Sequence, residues 1–182
     1  TLSSRLSRLE HLGEATQFAA QIHALVTYSP LFENFNLAEI RLMSHFMRVY
    51  RAEAGVEVIS EGEPGDYMML LLEGRIEVLK RDRWNAARLI AVLDPGATVG
   101  EMSMIDGAPR FASCVALRAS TLGVLTRDNM AHIIHVQPAL GAKILIKLVT
   151  LLSQRLRQTS AQLLQHLKPP RSEEHTSELQ SH

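Results

Sequence analysis

Residues 99–115 read VGEMSMIDGAPRFASCV, and the interpretation of the whole chain turns on them. A Gly-Glu pair closes a β-branched run, a short polar-apolar segment follows, and Ala108-Pro109-Arg110 leads back into a second strand-like run. Gly100 lets backbone approach a ligand closely, and the residues after it fit one helical turn whose free N–H groups attract an anion. Arg110, nine residues after Glu101, can return to that anion as a forked donor. Glu101 is repelled by an anion but accepts from a hydroxyl. A surface pair of Glu101 with Arg110, worth under about 1 kcal/mol, is the plain alternative.

Outward from this segment the pattern is that of short strands. The runs at 46–51, 56–60, 67–72, 75–81, 88–93, 97–99, 112–118 and 120–126 are β-branched or alternating, and Gly55, Gly62, Pro64, Gly65, Gly74, Pro95 and Gly96 punctuate them. Eight such strands with no long helix between them predict a mainly β fold, an eight-stranded antiparallel jelly roll flanked by helices. The RDRWN stretch around Trp84 and Asn85 reads as a hairpin tip.

Helices are expected at both ends. Leu6, Leu9, Leu12, Ile22, Leu25 and Val26 predict an amphipathic helix over 3–27, and Asn36 with Glu39 forms a capping-box variant opening a helix to about His45. A helix over 126–136 precedes a long one over 138–167, with Pro138 in its first turn. There Leu145, Val149, Leu152, Leu156, Thr159 and Leu163 step by four and three, the seam of a coiled coil, while Ile144, Leu148 and Leu151 form a second stripe confined to the first half. The first half is expected to cover the β-domain and the seam to meet a symmetry mate in a homodimer. The resulting organisation is an N-terminal helix (1–29), a β-roll (30–137), a dimerisation helix (138–168) and a tail (169–182).

Composition narrows the class. The chain has 182 residues, 46% hydrophobic and 21% charged, with 19 basic against 19 acidic side chains, a soluble globular balance without a broadly basic face for nucleic acid. The closing RSEEHTSELQSH (171–182) is similar to a translated sequencing-library adapter and is set aside; the preceding residues carry 18 basic and 16 acidic side chains, a net charge of +2. Lys143 and Lys147 break the longest apolar stretch, so no membrane span is expected. The single cysteine, Cys114, forms no internal disulfide and fits a reducing compartment, the cytoplasm. His132 and His135 have no partners spaced to complete a metal site, and no catalytic motif such as Gly-x-Ser-x-Gly, a P-loop or HExxH occurs, so catalytic and metal residues are both expected to be none.

One acid for a sugar hydroxyl, with an arginine and a helix N-terminus for a phosphate, is the inventory a small cyclic nucleotide needs. Residues 99–115 resemble the phosphate-binding cassette of cyclic-nucleotide-binding domains, as in protein kinase A regulatory subunits and bacterial CRP/FNR-type regulators. Gly55, Gly62, Gly65, Asp66 and Gly74 fall at this family's turns, and the resemblance extends over about 30–160. It implies that Glu101 accepts the ribose 2′-hydroxyl and Arg110 pairs with the cyclic phosphate. Gly100, Met102 and Ser103 would line the turn; Phe111 would either stack on the base or narrow the pocket, and Ala112 joins the ligand-binding set. The position after the arginine is small or hydroxylated in many relatives. Phe111 stands there, and the missing threonine favours cAMP over cGMP as ligand. RLRQTS (155–160) resembles the stretch by which the bacterial regulators reach the purine, which assigns Thr159 and Ser160 to the base, across the dimer. DNA is expected as a partner only if a helix-turn-helix follows Lys168. A scaffold of the same fold without ligand is the remaining alternative.

Overall fold

The computed structural model describes residues 5–15, 19–25 and 29–167; the adapter-like 171–182 lies outside them. Seven strands form one antiparallel sheet: β1 (Glu10–Glu14), β2 (Arg48–Ala52), β3 (Glu57–Ile59), β4 (Tyr67–Arg81), β5 (Ala87–Leu93), β6 (Thr98–Val99) and β7 (Ser113–Thr126). The main order is β1-β2-β7-β4-β5, with β3 on β7 and β6 on β4. Helices α1 (Ala19–Leu25), α2 (Leu37–Ser44), α3 (Glu101–Asp106), α4 (Arg127–Val136) and α5 (Pro138–His166) complete the chain. This is the expected mainly β jelly roll with a long C-terminal helix.

The strand count is corrected from eight to seven. The runs at 67–72 and 75–81 are one strand, β4, and those at 112–118 and 120–126 are one strand, β7. The register slips between Leu71 and Ile76 instead of turning. Gly74, at φ +101°, absorbs the bend, and a Cβ there would lie 2.1 Å from Ser120 Oγ. A glycine inside a strand marks a bulge or close backbone approach as readily as a turn, and here it marks both.

The seventh strand comes from the predicted N-terminal helix, the second correction. Residues 10–14 pair antiparallel with β2, and of the described residues between 5 and 25 only Ala19–Leu25 is α-helical. Gly13 at φ +133° is incompatible with a continuous helix. Leu6 and Leu9 are instead buried in the barrel interior. β1 covers the outer edge of β2, which would otherwise be left unpaired.

Two cores share the wall made by β4. Tyr67, Met69 and Leu71 face the barrel interior with Val58, Ile59 and Leu122, whereas Met68, Leu70 and Leu72 face the helices with Phe32, Ile40, Ile144 and Leu148. Burial on both faces is why 67–72 is continuously apolar. The capping box is formed as expected, with Glu39 N–H donating to Asn36 Oδ1 and Asn36 N–H to Glu39 Oε2, each at 2.9 Å. Thr126 caps α4, accepting from Asn129 N–H at 3.1 Å. In α5, Ile144, Leu148 and Leu151 are buried while Val149, Leu156 and Leu163 are 60%, 68% and 64% exposed; of the expected seam, Leu145 packs instead against the core and Leu152 is half-buried, so the stripes separate only beyond the first turns. Among the described residues no helix is long and apolar enough to cross a membrane.

Candidate functional site

β6 delivers the chain to Gly100, whose φ of +81° turns it into α3. The amides of this helix's first turn precede the first intrahelical bond, Met104 N–H to Gly100 O at 3.2 Å, and so have no intrahelical carbonyl of their own. Gly107, at φ +74°, ends α3 by donating to Ser103 O at 2.9 Å. The guanidinium of Arg127 donates to the same end, from Nε to Met104 O at 2.7 Å and from Nη2 to Ser103 O at 2.8 Å. The first residue of α4 therefore grips the last turn of α3.

Arg110 follows in extended backbone, bracketed by the 60–65 loop. Its N–H donates to Glu63 O and its carbonyl accepts from Gly62 N–H, both at 2.8 Å. Its guanidinium lies over the Tyr67 ring, 4.4 Å from the centroid, and Nη1 donates to Gly100 O at 2.9 Å. Two glycines leave the space it occupies. A Cβ on Gly65 would sit 2.1 Å from Arg110 Nε, and one on Gly100 would sit 2.7 Å from Arg110 Nη1.

Glu101 and Arg110 are 2% and 4% exposed, and neither is the other's ion-pair partner. The Oε1 of Glu101 pairs with the Arg155 guanidinium of α5, which also donates to Thr98 O at 3.0 Å. The Oε2 of Glu101 and the Nη2 of Arg110 are buried without a hydrogen-bond partner. Buried charged atoms rarely remain so, because each costs more to desolvate than an ordinary hydrogen bond returns. The plain surface-pair interpretation therefore fails: these are two buried groups of opposite sign that do not pair with each other.

Both residues line a cavity of about 320 Å³, within the range of small-ligand sites. Gly100, Glu101, Met102, Ser103, Arg110, Phe111 and Ala112 line it, so the cassette residues expected from the sequence converge on one space. Ile59, Val78, Leu93 and Cys114 make an apolar floor, and burial pushes the Cys114 thiol up to about 12. Thr159 closes the mouth from α5; Ser160 is exposed and lies outside the cavity of its own chain. Phe111 stands at the rim, 58% exposed, with Lys80 Nζ 4.5 Å from its ring centroid.

Three contributors were not anticipated. Arg155 lies one helical turn before Thr159, and that i, i+4 spacing on α5 was the available signal. Tyr67 looked like one more apolar residue of its run, and Gly65 like a turn residue. Nothing local in the sequence shows that both shape the arginine's seat.

Comparison with known proteins agrees with this geometry. A family model described as cyclic nucleotide-binding domain matches residues 50–136. The crystal structure of a cyclic nucleotide-binding domain from Methylobacillus flagellatus superposes with a TM-score of 0.82 at 36% identity, over 92% of this chain and 94% of that one. The cyclic AMP receptor protein of Thermus thermophilus is 30% identical over 136 residues, 74% of this chain and 61% of that protein. A cAMP-dependent protein kinase regulatory subunit of Mycosarcoma maydis is 30% identical over 115 residues, 62% of this chain and 22% of that protein. The chain thus spans less than two thirds of the length of these curated relatives. With the cassette, its arginine and the jelly roll all in place, the chain belongs to the cyclic nucleotide-binding domain family.

Proposed function

We propose that the protein is a cytoplasmic cAMP sensor, a binding module rather than a catalyst, that reports ligand through α4 and α5. The observation that carries this reading is that Glu101 and Arg110, two buried groups of opposite sign with Oε2 and Nη2 unpartnered, line one cavity together with the α3 turn. A cyclic phosphate answers the Arg110 guanidinium and the α3 amides, and a ribose 2′-hydroxyl answers the Glu101 carboxylate. Gly100, Met102 and Ser103 contribute the turn, Phe111 and Ala112 the wall, and Thr159 with the partner's Ser160 the base contacts. Calorimetric titration with cAMP and cGMP in parallel tests it. The expected result is one cAMP per chain, bound more tightly than cGMP; heat from neither nucleotide defeats the proposal and leaves a ligand-free scaffold.

Transmission follows from shared groups. Glu101 is held by Arg155 of α5, and the end of α3 by Arg127 of α4. A ligand that favours one position of the cassette therefore favours one position of both helices, and the coupling is reciprocal.

The α5 seam supports a homodimer. Val149, Leu156 and Leu163 recur every seven residues, the heptad spacing that packs one helix on a copy of itself. Leu156→Glu places two facing carboxylates in that seam, and sedimentation is expected to show a shift from dimer to monomer at micromolar concentration. Unchanged sedimentation of a parent dimer would place the interface elsewhere. A role as the sensor of a CRP/FNR-type transcription regulator, with DNA as a further partner, is favoured by the similarity to the Thermus thermophilus receptor. Sequencing the gene beyond Lys168 tests that reading, which a basic helix-turn-helix found there would support.

A further inference from the structure

The phosphate end of the pocket is held from a distant part of the chain. The Arg5 guanidinium forks onto Glu63, with Nε donating to Oε2 at 2.8 Å and Nη2 to Oε1 at 2.5 Å, and its Nη1 donates to Glu57 O at 3.1 Å. Arg5 has 15% of its side chain exposed and Glu63 44%, so the contact is part-buried, and its forked geometry is what sets it apart from single surface pairs. The chain that follows it is anchored: Leu6 and Leu9 are buried beside Val58, Ile59 and Tyr67, and β1 continues into the sheet. Glu63 in turn brackets Arg110, since Glu63 O accepts the Arg110 N–H and Gly62 N–H donates to Arg110 O. The carboxyl of Glu63 is held below the usual carboxylate range, first by the Arg5 hydrogen bonds and further by the nearby charges of Arg8 and Arg110.

We infer that Arg5 is a positioning residue for the nucleotide site: its fork on Glu63 fixes the 60–65 loop, and that loop fixes Arg110. The inference rests on the reading of the cavity as a cyclic-nucleotide site. The physical content is preorganisation. A loop already ordered by Arg5 adds no ordering cost when ligand arrives, whereas a loosened loop must be ordered at the expense of affinity. By reciprocity, bound nucleotide stiffens the segment from Arg5 to β1, which makes that segment a second place, besides α4 and α5, where occupancy is felt.

The test compares the parent with Arg5→Ala, Glu63→Ala and the double variant, using cAMP titration, ligand-free melting and hydrogen exchange at the Gly62 and Arg110 amides. Each single variant is expected to bind cAMP about fivefold to tenfold more weakly, and the double no more weakly than the worse single, the non-additivity of one shared contact. The two amides should exchange faster in the single variants without ligand, while melting falls no further than for Arg51→Ala, which removes an exposed pair with Glu53. Parent-like affinity in both single variants, or losses that multiply in the double, overturns the inference while the nucleotide reading stands. A parent that ignores cAMP overturns the nucleotide reading and the affinity claim with it, and exchange at the two amides then judges separately whether Arg5 holds Arg110.

Discussion

Arg110→Ala is expected to cost roughly 2 to 5 kcal/mol of cAMP binding, because a phosphate would be left desolvated without its cation. At the upper end no heat would be seen at practical concentrations. The same substitution should change the ligand-free protein little. It forfeits the bond to Gly100 O and the stack on Tyr67, about 1 kcal/mol each, but it also removes a buried charge whose Nη2 has no partner, and the two effects oppose one another. Parallel titration and melting curves therefore distinguish a ligand arginine from a structural one. Superimposable cAMP titrations of variant and parent would end the argument for this pocket.

The second large effect is expected at Gly65, which touches no ligand in the proposed arrangement. Gly65→Ala introduces a methyl 2.1 Å from Arg110 Nε and 2.4 Å from Cζ. Backbone strain is not the issue, since Gly65 is absent from the glycines with positive φ. The guanidinium must leave its seat between Tyr67 and Gly100, and overpacking of this kind costs about 1 to 3 kcal/mol wherever the chain cannot yield. The loss in cAMP affinity should be about fivefold to 150-fold, overlapping the lower part of the range for Arg110→Ala. Titration checks it: affinity within twofold of the parent would show that Arg110 reaches phosphate from another rotamer.

What the sequence revealed and what it concealed divide along a physical line. The cassette was legible because its chemistry is local: Gly100, Glu101 and Arg110 lie within eleven residues, and their types state a backbone turn, an acceptor and a forked donor. The capping box and the two stripes of α5 were legible for the same reason, since helical periodicity places i, i+3 and i+4 together whatever the fold. Failures occurred where long-range pairing outweighed a local pattern. Leu6, Leu9 and Leu12 have helical spacing, yet β1 had an unpaired edge of β2 to join and Gly13 to break the helix. Gly74 looked like a turn because a bulge and a turn use the same residue, and only pairing to β7 decides between them. Arg155 and Arg5 were missed because each acts 50 or more residues away in the chain.

The grip of two arginines on α3 has a mechanical meaning. Arg110 takes the carbonyl of Gly100 at one end, and Arg127 takes those of Ser103 and Met104 at the other. A helix of six residues is too short to persist alone, but pinned at head and foot it cannot unravel piecemeal. If the cavity binds a nucleotide as proposed, a displacement at the sugar end is expected to move α3 as a unit and so to reach the root of α4.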